Sequence, residues 1–154
     1  MQSLAFSLLK LLIRLSFPTV NQISTEKFAE WLADSAKQQP FVLDARSPAE
    51  YAVSHIKTSV RIDPVVPDIT ALSTVSKNTP IIVYCSVGYR SAKVAQQLDR
   101  EGFIQIFNLS GGIFQWANEE RPMFKDNEHS SQLVHPYNAI WGNFLKHSYR
   151  AENH

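Results

Sequence analysis

One cysteine, Cys85, stands in 154 residues, and that scarcity excludes several chemistries at once. No disulfide can close within the chain, which fits a reducing compartment and makes the cytoplasm the expected location. No second thiol can resolve an oxidised or sulfur-loaded Cys85, so redox or sulfur-relay chemistry must end on another molecule. A surplus of either charge is missing too. Lys+Arg number 15 and Asp+Glu 14, which implies no nucleic-acid partner. No apolar run reaches the roughly 20 residues of a membrane span, because Lys10 and Arg14 interrupt the greasy stretch of residues 1–17. That stretch also lacks a basic start and a small-residue cleavage site, so no secretory signal is expected. Four of the five histidines (His129, His135, His147 and His154) fall in the tail. Their spacing matches no compact zinc pattern, so they read as surface residues, and neither a metal nor a cofactor is expected.

What is present centres on residues 81–91, Ile-Ile-Val-Tyr-Cys-Ser-Val-Gly-Tyr-Arg-Ser. Pro80 and the β-branched run after it read as a buried strand. A helix is expected from Ser91 onward, with Val94, Ala95 and Leu98 on one face, Ser91 as its N-cap and Gly102 past its end. Cys85 therefore lies where a strand's C-terminal end turns into a helix N-terminus, the edge at which open α/β sheets bind ligands. Loop N–H groups and the helix dipole make such a turn an anion site and favour a thiolate. Gly88 is free to aim its N–H inward, and Arg90 adds a charge that can fork onto an oxyanion. A lone cysteine ending an apolar strand is often only a small buried hydrophobe. The coincidence of Gly88, Arg90 and Ser91 argues for function instead.

Cys85-Ser86-Val87-Gly88-Tyr89-Arg90 followed by Ser91 resembles the active-site loop of single-domain rhodaneses, sulfurtransferases with a Cys-x-x-Gly-x-Arg-Ser pattern. The resemblance extends over about residues 20–122. Asp44-Ala45-Arg46 matches the family's Asp-x-Arg, His55-Ile56 its His-Ile, and Gly111-Gly112 with Trp116 its Gly-Gly-x-x-x-Trp. Thr58 and Ser59 stand where Gly-Ala is common, and Ser86 where thiosulfate-specific members often carry a basic residue, which leaves the sulfur donor open. The resemblance implies an α/β fold with a parallel sheet covered by helices on both faces. It implies Cys85 as the nucleophile that carries a persulfide. Ser86, Val87, Gly88, Tyr89, Arg90 and Ser91 would bind substrate, and Arg46 either braces the loop or faces the substrate. The donor would be thiosulfate or a similar small compound, the acceptor a thiol or cyanide. Asp44, His55, Gly111, Gly112 and Trp116 read as structural.

The rest of the chain supports the same architecture. Ser24 caps one helix and Pro40 stops it; Phe41 to Asp44 is a strand. Ser47-Pro48-Ala49-Glu50 is a capping box with proline at the first helical position. Residues 61–67 read as loop, a short helix follows around Ile69 to Val75, and Ile104 to Leu109 is a further strand. Alternating strands and helices with short connections predict a parallel sheet. Three segments are expected: an amphipathic N-terminal helix over residues 1–19, the domain over 20–122, and a C-terminal extension over 123–154 with a helix at 138–150. The two terminal helices each carry an apolar face. They are expected to pack together, within one chain or across a homodimer; the alternative is that the first lies on a membrane surface.

Three functions compete. A cysteine phosphatase needs Cys-x5-Arg to wrap three phosphate oxygens, whereas here the arginine comes one residue early. A non-catalytic rhodanese-like binding module would usually lack the cysteine. A persulfide carrier serving one dedicated protein partner is the alternative to a small-molecule enzyme.

Overall fold

The computed structural model describes residues 3–126 and 128–151. Five short strands, β1 (Asn21–Ile23), β2 (Phe41–Asp44), β3 (Val60–Arg61), β4 (Ile81–Tyr84) and β5 (Ile106–Leu109), form one sheet. Their order is β1-β5-β4-β2-β3 and every pairing is parallel. The helices are α1 (Leu4–Ser16), α2 (Thr25–Ala33), α3 (Pro48–Val53), α4 (Tyr89–Arg100) and α5 (Gly112–Asn118). All four residues of β4 are buried, as a central strand covered on both faces requires. Its alternate side chains feed two cores. Ile82 and Tyr84 join Phe28, Ile113 and Trp116 of α2 and α5, while Ile81 and Val83 join Val94, Ala95 and Leu98 of α4. Asp44 lies opposite Tyr84 in the ladder, so the chain leaves β2 and β4 at one level of one edge. That level holds the site.

Local signals placed most of these elements. Ser24 accepts from the Lys27 N–H and caps α2; Ser47 and Glu50 close a reciprocal capping box on α3; Gly102 follows α4 with φ +96°. Two strands in the sheet were not expected. β3 (Val60–Arg61) runs into the start of the stretch read as loop, and β1 precedes α2. Both are edge strands of two or three residues, too short to carry a readable alternation.

The terminal segments differ most from expectation. Residues 138–150 form no α-helix; two single 3₁₀ turns, Trp141–Phe144 and His147–Tyr149, replace it. Between them the backbone bonds outward, because the Asn118 amide donates to the Phe144 carbonyl at 2.8 Å and accepts from the Lys146 N–H at 2.8 Å. Val134 and Leu145 enter the core and tie the segment down. A hairpin of β6 (Met123–Phe124) and β7 (Ser130–Ser131) precedes them.

The helix α1 is present and docks on its own chain. Phe6 and Ile13 are buried, and Phe6 meets Phe144 edge-on at 5.3 Å. The contact between the two terminal segments is thus intramolecular. It uses the Phe6–Ile13 side of the helix and leaves the leucine side out. Leu4, Leu8, Leu11, Leu12 and Leu15 all remain exposed. Among the described residues no helix is long and apolar enough to cross a membrane.

Candidate active site

Cys85 is the first residue beyond β4 and is only 1% exposed. Its Sγ receives three donors: the Gly88 N–H at 3.1 Å, the Ser91 N–H at 3.4 Å and the Ser91 hydroxyl at 3.3 Å. Gly88 can aim its N–H inward because it sits at φ +114°, a conformation that costs an L-residue with a Cβ. The same residue starts α4, which therefore begins at Tyr89 without a side-chain cap. This corrects the reading of Ser91 as N-cap. Ser91 lies within the first turn, fully buried, and its hydroxyl faces Cys85 Sγ and Asn108 Oδ1 instead of the helix end. A hydroxyl has one proton, so those two acceptors share it. Asn108 is held from its other end, donating to Gln22 Oε1 and to the Gly88 carbonyl.

Arg90 does not present an open fork. Its two Nη groups donate to the two oxygens of Glu50, each at 2.8 Å, and Nη2 also reaches Ser86 Oγ at 2.9 Å. Ser86 Oγ in turn donates to Glu50 Oε2. Burial pushes the Glu50 carboxyl up, but the hydrogen bonds and charge of Arg90, aided by the Ser47 N–H, hold it down at about 2. Burial likewise opposes the Arg90 charge, and the Glu50 hydrogen bonds with the nearby Cys85 and Glu50 charges outweigh it. Glu50 was legible only as half of a capping box. Nothing local could show that its second oxygen faces a loop 40 residues onward.

The cavity at Cys85 is about 60 Å³ and is lined by Cys85, Ser86, Val87, Tyr89, Arg90, Tyr137 and Trp141. The last two come from the C-terminal extension. The Arg90 guanidinium lies 4.3 Å from the Tyr137 ring centre. Tyr89 meets Phe17, just past α1, at 5.6 Å. Both extensions thus touch the active-site loop. Of the loop residues proposed from sequence, Gly88 and Ser91 act on the sulfur, while Ser86 and Arg90 form the Glu50 network. Val87 and Tyr89 line the walls.

Arg46 is placed elsewhere. It is fully buried, donating to both oxygens of Asp44 at 2.8 and 2.7 Å and to the Ser54 carbonyl at 2.7 Å. The Tyr84 hydroxyl completes this cluster on Asp44 Oδ2. Arg46 therefore braces the sheet edge and does not line the cavity, which corrects its reading as a substrate contact. His55 stacks on Tyr51 and bonds the Phe124 backbone, a structural role. Gly112 is a backbone necessity: a Cβ there would lie 2.5 Å from the Cys85 carbonyl oxygen. Among the described residues no three His, Cys, Asp or Glu side chains are grouped to hold a metal.

A parallel α/β sheet with a cysteine-centred, donor-lined loop at its C-terminal edge defines the class of protein. The family model for the rhodanese-like domain matches residues 24–119, and the chain belongs to that family. A sulfurtransferase of Allochromatium vinosum is 31% identical over 104 residues, a match that covers 68% of this chain and 94% of that protein. A tRNA uridine(34) hydroxylase of Pelagibacter ubique is 31% identical over 103 residues, covering 62% of this chain. The match takes in 32% of that larger protein, so the likeness is to one part of it. The crystal structure of the BH2092 protein from Bacillus halodurans shares the fold, with a TM-score of 0.67 at 20% identity over 82% of this chain and 90% of that one.

Proposed function

We propose that the protein is a sulfurtransferase that carries a sulfane sulfur on Cys85. The Cys85 thiolate attacks the outer sulfur of a donor. With thiosulfate, the new S–S bond forms as the donor's own S–S bond breaks, and sulfite leaves with the bonding pair. Cys85 is then a persulfide anion. An acceptor thiolate, or cyanide, attacks the outer sulfur and releases Cys85 as thiolate, giving an acceptor persulfide or thiocyanate. Charge and atoms balance in both steps without a cofactor. This is covalent catalysis, with the difficulty shared between two displacements.

The observation that carries the reading is the set of three donors converging on Cys85 Sγ. A persulfide is an anion, and preorganised N–H and O–H groups stabilise charge of that kind without reorganisation. The Ser91 proton suits this role because Asn108 can hold it when the sulfur does not. Arg90 lies beside the site as one half of an ion pair with Glu50, which fixes the guanidinium in place. The likeness to a curated sulfurtransferase along nearly its whole length supports the same conclusion.

Incubation with thiosulfate should add the mass of one sulfur atom, removable by cyanide or a thiol. Cys85→Ser should lose both the adduct and turnover, since a hydroxyl is a far weaker nucleophile than a thiolate. Turnover that survives Cys85→Ser would refute the proposal.

A further inference from the structure

We infer that Tyr137 and Trp141 form a fixed aromatic gate over Cys85 that admits low-molecular-weight sulfur compounds and excludes protein thiols. The inference rests on the sulfur-transfer reading above and names its substrate class. Both residues lie outside the matched family domain, which ends at residue 119, yet both line the Cys85 cavity. That cavity, about 60 Å³, holds no more than a few water-sized groups. It has room for the sulfur end of a slender donor or acceptor. A thiol carried on a folded protein would have to bring its backbone through the same opening.

The gate is built, not incidental. Tyr137 adopts φ +67°, a strained conformation for a bulky residue that persists only where its surroundings over-determine it. The surroundings are on view. The Tyr137 N–H donates to His135 Nδ1 at 3.0 Å, and the Asn138 N–H to the Pro136 carbonyl at 2.8 Å. Asn138 Oδ1 accepts the Trp141 N–H at 2.8 Å, which sets the turn that delivers the second ring. Val134, fully buried, anchors the segment upstream by pairing with the backbone of Tyr149 and Ala151. The Tyr137 ring then rests over Arg90, a cation–π contact that holds it at the mouth. A tail packed only for stability would not need a strained tyrosine, 43% exposed, in the wall of the Cys85 cavity.

Because Cys85 is the sole cysteine, alkylation reports the gate directly and needs no sulfur chemistry. Rates would be measured with iodoacetamide and with fluorescein maleimide on the wild-type chain, Tyr137→Gly, Trp141→Ala and the double variant. Glycine at 137 also relieves the φ strain, so loss of fold does not confound that variant. The expected result is a rise of about tenfold or more in the bulky-to-small rate ratio for the double variant. An unchanged ratio overturns the gate. In a second arm, persulfide-loaded wild type is offered a small thiol and a protein bearing one exposed thiol. Transfer to the small thiol alone supports the inference, and equal transfer to both refutes it. If thiosulfate never loads Cys85, the sulfur-transfer reading fails while the alkylation ratio still judges the gate.

Discussion

Replacing Glu50 with glutamine removes one charge from the active-site network and puts an amide nitrogen, a donor, where Oε2 accepts from Arg90 Nη2 and Ser86 Oγ. The amide oxygen can still accept the Ser47 N–H that closes the α3 capping box, and it can still take one Arg90 donor. What disappears is the carboxylate that Arg90 holds at about 2, against an ordinary 4.5. The difference, at about 1.4 kcal/mol per unit, corresponds to about 3 kcal/mol of stability at neutral pH. That figure is an upper bound, because the Arg90 side chain keeps 20% exposure and is partly screened. The sign follows from the direction of the shift. A depressed folded-state value means the contribution is complete above about pH 4.5 and is lost as pH falls towards 2. Between pH 7 and pH 3 the wild-type chain should therefore lose about 2 kcal/mol through this group alone, and Glu50→Gln should not. Urea denaturation of both proteins at the two pH values measures the difference directly. Parallel losses would show that the pair contributes no net charge interaction, and the reasoning about Arg90 would fall with it.

Gly112→Ala should be severe for a small change. A methyl group there meets the Cys85 and Ser86 carbonyls at 2.5 Å, on a backbone at φ +56°. The left-handed conformation alone costs about 1–2 kcal/mol, so both the melting temperature and the Cys85 alkylation rate should move; a variant indistinguishable from wild type would contradict the geometry. The leucine side of α1 should bind anionic vesicles in co-sedimentation. Its five exposed leucines flank Arg14, and no acidic residue occurs before Glu26, the pattern of an in-plane helix on an anionic surface. Leu8→Asp with Leu12→Asp should abolish it, and a wild-type chain that stays in the supernatant would rule this surface out.

The central strand, the lone cysteine that follows it and the glycine three residues further on were legible in residues 81–91, because they depend on neighbours a few positions apart. β4, Cys85 and Gly88 sit where a β-branched run, a polar break and a residue without a Cβ must fall. The capping box of α3 and the end of α4 just before Gly102 were legible for the same reason: each is closed by hydrogen bonds within one turn. Ser91 shows where such reading stops. Its type fits a cap, but the left-handed Gly88 had already started the helix, which freed the hydroxyl for the sulfur. In residues 138–150 the apolar spacing of Trp141, Phe144 and Leu145 matches a helix. The Asn118 amide, from a different element, captures the backbone groups that an α-helix would have used.

Composition and local pattern by themselves determined a parallel α/β sheet, a lone cysteine at its C-terminal edge and the absence of any second thiol to relieve it. Only the tertiary structure decided what surrounds that sulfur. Folding joins Arg90 to Glu50 across 40 residues, sets Asn108 behind Ser91, seals Arg46 against Asp44 and brings the Tyr137 ring against Arg90. It also decided that α1 turns Phe6 and Ile13 inward and leaves five of its leucines out. Spacing along a chain reports which side chains share a face. It does not report what that face meets, because the meeting is made by contacts between segments far apart in sequence.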